Sequence, residues 1–257
     1  HDDSGYDVSA DTFGNVYVIG QTYGDLDGNI NVGDADLFIV KYDFSGKKFW
    51  SHQIGTHEFD YGRSIDTDTD GNVYIAGYTT GELEGNISAG GNDFFIIKFN
   101  SRGSRLWIKQ LGTLSSDVVH SVDIDNEGNI YVAGYTAGEL ESNISVGGDD
   151  FFIIKYDNQL TKQWVRQFGT LGTDVVFDMA RDNDGNIYVT GFTDGSFDGH
   201  ISAGDDDFFI IKYDSLGIKQ WSQQYGTAGS DVAKSISIDA TGDVYIAGHT
   251  EGDLDLG

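Results

Sequence analysis

Cysteine is absent from this 257-residue chain. That excludes disulfides, thiolate metal centres and cysteine nucleophiles. Proline is absent as well, so no extended run carries the residue that interrupts a sheet ladder. No apolar run approaches the roughly 18 residues of a membrane-spanning helix, and no membrane insertion is expected. Basic side chains are few and scattered: 15 Lys and Arg stand against 42 Asp and Glu, for a formal net charge of −27. A field of that sign repels nucleic acid and anionic lipid, so neither is expected as a partner. What the chain does have is 36 glycines, 39% apolar residues and 13% aromatics. This composition suits many tight turns around a real core.

Self-comparison organises everything else. The string GNVYVIG at Gly14–Gly20 returns as GNVYIAG at Gly71, GNIYVAG at Gly128, GNIYVTG at Gly185 and GDVYIAG at Gly242, each step being 57 residues. Trp50, Trp107, Trp164 and Trp221 keep the same step, as do Lys41, Lys98, Lys155 and Lys212. A fixed period of this length marks a repeat architecture.

Each unit reads as four strands. In the third copy these are Asp117–Asp125, Asn129–Thr136, Asp150–Asp157 and Lys162–Thr170, here called A to D. They are rich in Val, Ile, Phe, Tyr and Thr and are separated by Asp/Asn/Gly turns or by a longer B–C loop. Strand C is apolar on both faces, with Phe151, Phe152, Ile153 and Ile154 in a row, as a sheet sandwiched between two others requires. Four antiparallel strands per unit predict an all-β fold, a β-propeller of five blades in one domain. The blades run over residues 3–59, 60–116, 117–173 and 174–230, with a partial fifth at 231–257. The fifth copy holds only strands A and B. Its apolar residues Val244, Tyr245, Ile246 and Ala247 should pack as the inner half of a blade. The outer half should be completed by another segment or a partner chain, and without it the chain should self-associate.

The run from Gly147 to Asp174, with GGDDFFIIKYD, a central Trp and QFGTLGTD, followed by DNDGNIYVTGFT, resembles the SBBP-type β-propeller repeat. The resemblance covers essentially the whole chain, although the prolines common in some members' B–C loops are missing. It implies the repeat part of a large bacterial surface or secreted protein, extracellular or at the cell surface, with no assigned activity. The expected function is a non-catalytic scaffold or protein-interaction module. A multivalent glycan-binding propeller, with one sugar site per blade, is the alternative.

Catalytic signatures are lacking. The six histidines fall at six different positions of the unit, and no His-x-x-x-His pair, Gly-x-Ser-x-Gly elbow or phosphate-binding glycine loop occurs. No cofactor is required. Calcium is the one the sequence raises: Asp66, Asp68 and Asp70 with Gly71 match the D-x-D-x-D-G start of an oxygen-rich loop, although Gly77 stands where a bidentate Glu belongs. The same residues also read as a hairpin whose Asp and Asn side chains cap their own backbone. Acid pairs straddle an apolar residue in the B–C loops, as at Asp25/Asp27, Glu82/Glu84, Glu139/Glu141 and Asp253/Asp255, and read as a solvated rim. One column varies in every copy: Tyr6, Arg63, His120, Phe177 and Lys234, each followed by Asp or Ser. These five side chains are the candidate ligand-binding residues, at the mouth of a central channel, and drift at an exposed site explains the same pattern.

Overall fold

A computed structural model describes residues 2–141 and 143–254. The Asp255 carboxylate of the last loop pair lies outside them. The first sheet comprises β1 (Asp3–Ala10), β2 (Val16–Thr22), β3 (Asp36–Tyr42) and β4 (Lys48–Ile54), in that order. The second holds β5 (Asp60–Thr67), β6 (Val73–Thr79), β7 (Asp93–Phe99) and β8 (Arg105–Leu111), and the third β9 (Asp117–Ile124), β10 (Ile130–Thr136), β11 (Asp150–Tyr156) and β12 (Lys162–Phe168). In the fourth are β13 (Asp174–Arg181), β14 (Ile187–Thr193), β15 (Asp207–Tyr213) and β16 (Lys219–Tyr225). β17 (Asp231–Ile238) and β18 (Val244–Thr250) make a two-stranded sheet. No helix occurs among the described residues. Four full blades and a half-blade, with strand ends within a residue or two of those read from the sequence, are the architecture expected.

The chain divides into two compact units, His1–Ile130 and Tyr131–Gly257. The core of the first is a sandwich of alternating side chains: Tyr17, Ile19, Leu37 and Ile39 of one blade meet Ile65, Val73, Ile75, Phe95 and Ile97 of the next. Trp50 wedges into that seam, 6.1 Å from the Phe99 ring and against Gly103, where a Cβ would stand 2.9 Å from the indole. Trp50 is therefore a seam residue, and Trp164 stands the same way against Gly217, whereas Trp221 is 38% exposed. In the second unit Phe151, Ile153, Val189, Phe209 and Ile211 repeat the arrangement, and β17 packs on the fourth blade through Ile236 and Ile238. Tyr245 of β18 is 59% exposed. The β17–β18 sheet borders a groove of about 420 Å³ lined by Phe208, Tyr225, Val232, Val244, Ile246 and Leu254.

The strand C lysines form ion pairs inside their own blade, Lys98 with Asp68 at 3.7 Å and Lys212 with Asp182 at 3.6 Å, while Lys41 also donates across the seam to the Ser101 carbonyl at 2.8 Å. Each also lies over the strand B tyrosine, as Lys98 does 4.6 Å from the Tyr74 ring. The loop acids are not simply a solvated rim. The second of each pair takes a left-handed backbone at Asp27, Glu84, Glu141 and Asp198. Its carboxylate meets the first basic residue of strand D, as in Asp27–Lys48 at 2.5 Å and Asp198–Lys219 at 2.6 Å.

Candidate functional site

The variable column has a structural cause. In β1, β5, β13 and β17 the pairing with strand B skips one residue, between Gly5 and Asp7, Gly62 and Ser64, Val176 and Asp178, and Ala233 and Ser235. The skipped residues are Tyr6, Arg63, Phe177 and Lys234, and His120 holds the equivalent position in β9. Each of the four skipped residues is the extra residue of a β-bulge, which frees its side chain from the pleat's in-or-out rule and aims it sideways. Variation there costs the sheet nothing.

The Asp or Ser that follows is steady because it holds blades together. Asp7 Oδ2 accepts from Ile65 N at 2.9 Å, Ser64 Oγ from Val122 N at 3.1 Å and Asp178 Oδ2 from Ile236 N at 2.9 Å. The bulge residue is carried along by that staple towards its neighbour on the next blade. In the first unit the Arg63 guanidinium lies 4.6 Å from the Tyr6 ring, and in the second Lys234 Nζ lies 3.5 Å from the Phe177 ring.

Around Arg63 the repeat symmetry breaks. The guanidinium also lies 5.4 Å from the Tyr61 ring and 5.3 Å from Tyr78, and it donates to Tyr78 Oη at 3.0 Å. Tyr61 and Tyr78 stand 4.9 Å apart, and Phe59 stacks on Tyr61 at 6.0 Å with the rings 7° from parallel. Gln21 Nε2 donates to Tyr23 Oη at 3.2 Å. Tyr6 and Tyr23 remain 39% and 37% exposed. Burial, with the neighbouring Tyr23 and Tyr78 phenols, pushes the Tyr61 phenol up to about 12. Four phenols, a phenyl ring and one guanidinium therefore form a partly exposed aromatic patch enclosing a cation.

Sequence reading found two members of this patch, Tyr6 and Arg63, and missed Tyr23, Phe59, Tyr61 and Tyr78. The signal was present. Where Tyr61 stands, the later copies carry Val118, Val175 and Val232, all buried. Tyr23 stands where others have Thr80, Ala137, Asp194 and Glu251. Only folding brings strands β1, β2, β5 and β6 together to show that these departures share one place.

The acidic hairpin is also explained locally. Asp68 Oδ1 accepts from the amides of Asp70 and Asn72, and its Oδ2 from Asn72 Nδ2 and Tyr74 Oη. Asp11 and Asp182 do the same in their turns. Asp66 instead sits on β5, accepting from Thr67 N and, across the seam, from Ile124 N at 2.7 Å. Burial, then the adjacent Asp123, pushes its carboxyl up to about 7. Asp70 is exposed. Among the described residues no group of three or more His, Cys, Asp or Glu side chains is placed to hold a metal ion. Asp68→Ala should cost about 1–2 kcal/mol for the lost turn bonds, measured by thermal melting in chelator. A calcium-dependent rise in the wild-type melt that this variant abolishes is the signature of the metal reading.

The Beta-propeller repeat (SBBP) family model matches residues 1–27, 50–84, 106–141, 163–198 and 220–255. The chain belongs to this family. The SBBP chain is 24% identical over 235 residues to an uncharacterized WD repeat-containing protein, L264, of Acanthamoeba polyphaga mimivirus, covering 72% of this chain and 17% of that protein. It is likewise 24% identical over 187 residues to the regulatory protein FlaEY of Caulobacter vibrioides, covering 65% of this chain and 20% of that one. It therefore spans about a fifth of the length of these relatives. Among solved structures, a Dyadobacter fermentans protein of unknown function matches with a TM-score of 0.51 at 14% identity, over 91% of this chain and 72% of that one. That likeness shows the fold alone.

Proposed function

We propose that the chain is a non-catalytic protein-interaction module, the repeat part of a larger bacterial surface or secreted protein. Its contact patch in the first unit is Tyr6, Tyr23, Tyr61, Arg63 and Tyr78. The carrying observation is the break in repeat symmetry around Arg63, where Tyr61 replaces the buried valines of the later blades and Tyr23 and Phe59 stand where the other copies carry no aromatic residue. Tyrosine and arginine are the residue types most enriched among binding hot spots, because a rigid ring or planar fork gives much contact area at little entropy cost. The WD-repeat and regulatory names of the two curated relatives point the same way, and the extracellular placement rests on the family resemblance. The open edge and exposed Tyr245 of β18 support a second contact, a third strand supplied by another segment or a partner chain.

The repeat supplies its own control substitution. Tyr61→Val restores the residue of the later blades, so Tyr61→Val with Arg63→Ala should leave the melting temperature within a few degrees of wild type. Crosslinking and mass spectrometry in cells of the source organism should then show a partner crosslinked at this patch in the wild type and lost in the double variant. Partners unchanged by both substitutions would sink the patch. The coplanar Phe59–Tyr61 stack favours glycan binding as the second reading. A glycan array on which the wild type binds and Tyr61→Val does not would establish that reading in place of the first.

A further inference from the structure

The tetrapeptide Gln-x-Gly-Thr ends strand D in every full copy: Gln53–Thr56, Gln110–Thr113, Gln167–Thr170 and Gln224–Thr227. Each copy gathers two aspartates that belong to successive blades. Gln53 Nε2 donates at 2.9 Å to Oδ2 of Asp36, the first residue of β3, which also accepts from Val32 N at 2.9 Å. Thr56 donates through N at 2.6 Å and Oγ1 at 3.0 Å to Oδ2 of Asp60, the first residue of β5. Asp93 and Asp117, then Asp150 and Asp174, repeat this around Gln110 and Thr113 and around Gln167 and Thr170. All six aspartates are 0% exposed.

At the second and third junctions the glycine between them is approached by both carboxyls, and at the first Gly55 is approached by Asp36. The point where a Cβ would stand on Gly112 is 2.2 Å from Asp93 Oδ1 and 3.0 Å from Asp117 Oδ2. On Gly169 it is 2.1 Å from Asp150 Oδ1 and 3.0 Å from Asp174 Oδ2. Oδ1 of Asp36, Asp93 and Asp150 has no hydrogen-bond partner and is sealed from solvent. Neutral groups surround the first pair: the Thr79 hydroxyl lies against Asp60, and β4 brings the Gln53 amide. The nearest titratable groups beyond the pair point elsewhere. His57 turns Nδ1 to the Val32 carbonyl at 3.0 Å, Asp3 accepts from Thr22 Oγ1, and Glu58 is exposed. Two full negative charges buried this way, with an acceptor left bare, are far costlier than one.

We propose that each of these three junctions holds a single proton between its two aspartates, one carboxyl donating to the other's carboxylate. Adjacent blades are then clamped at acid pH and lose the clamp before pH reaches neutrality. The proton comes from solvent and no other bond changes. Burial first, with Asp36 adding, pushes Asp60 up to about 6, and burial with Asp150 pushes Asp174 up. The sign follows from proton binding. Between about 4 and 6 the folded chain holds a proton that the unfolded chain has released, so this contribution is complete below about 4 and is lost as pH rises past 6. Asp231 makes a contrast. Burial raises it, but bonds from Thr250 and Thr227 outweigh that and hold it below the ordinary range.

Carboxyl ¹³C shifts of the full chain labelled at aspartate test this directly. At the Asp36–Asp60 junction one carboxyl should titrate near 6 instead of near 4, and at each of the other two one carboxyl should titrate above the ordinary aspartate range, with assignments from Asp60→Asn and Asp174→Asn. An amide at position 60 mimics the protonated acid, so Asp60→Asn should melt at or above the wild type at pH 7, and that advantage should close by pH 4. Junction carboxyls that all titrate near 4 would overturn the proposal, as would an Asp60→Asn deficit equal at pH 4 and pH 7. A wild-type melt at pH 7 that rises with calcium and falls with chelator, while Asp60→Asn ignores both, would assign the pair to a metal ion and overturn it too.

Discussion

Gly77→Ala should destabilise the first unit more than any surface substitution in the chain. A Cβ there would stand 1.8 Å from the Tyr61 carbonyl oxygen and 2.9 Å from Phe95 Cζ. Neither can yield: the carbonyl belongs to the strand entering the bulge, and Phe95 is a fully buried core ring. The cause is the bulge itself, which pushes strand A's backbone into the space that strand B leaves empty. Gly20, Gly191 and Gly248 face the equivalent carbonyls of Ser4, Val175 and Val232 at 1.9, 1.8 and 2.0 Å, which is why the repeated strand B motif closes on glycine. We expect a loss of about 3 kcal/mol or more, the upper end of overpacking, and a melting temperature lower by roughly 6–12 °C. Gly85→Ala is the control. Nothing lies within 4 Å of it, but its φ of +84° favours glycine, so it should cost only about 1 kcal/mol.

Gln110→Leu should be nearly as damaging while leaving the apolar core untouched. The Gln110 amide donates to Asp93 Oδ2 at 2.8 Å and to the Gly81 carbonyl at 2.9 Å, and its Oε1 accepts from Leu83 N at 2.9 Å. Leucine is close in size and offers none of these bonds. It therefore strands a buried carboxylate, a carbonyl and an amide, each costing about 1–3 kcal/mol unpaired. Hydrogen exchange should accelerate first at Leu83 and Asn86 in the B–C loop, because the Leu83 amide loses its acceptor and Asn86 bonds to the Leu83 carbonyl. Gln163→Leu, an exposed glutamine bonded within its own turn, should change little. Equal effects at the two positions would mean that the junction is held by apolar packing alone.

These two cases show how far the sequence could be read. Both Gly77 and Gln110 recur at the 57-residue step, so their structural duty was visible in outline, but the reason for it was not. A repeat reports that a residue is kept, and the kept contact lies between strands that are far apart in the chain. Asp68 illustrates the same limit from the other side. Its spacing fits a calcium loop, yet its oxygens accept from Asp70, Asn72 and Tyr74 in a turn that four other copies reproduce with Asp11, Asp125, Asp182 and Asp239. Spacing alone does not say whether a carboxylate faces a metal ion or its own backbone.

Strand positions, strand order within a blade and the number of repeat units were determined by the sequence alone. All depend on local signals: period-2 apolar patterning, β-branched and aromatic runs, and glycines whose positive φ closes the turns, as at Gly71 and Gly128. Tertiary structure alone decided three other matters. It showed that Tyr6, Arg63, Phe177 and Lys234 are bulge residues, because a bulge is a slip between two strands. It gathered Tyr23, Phe59, Tyr61 and Tyr78 around Arg63, because those positions lie on or beside three strands of two blades. It set Asp36 beside Asp60 and Asp150 beside Asp174, because the two members of each pair begin strands of different blades. Local patterning follows from steric and hydrophobic preferences that each short segment carries by itself. Sites assembled across seams follow from how the segments pack, and no single segment encodes that.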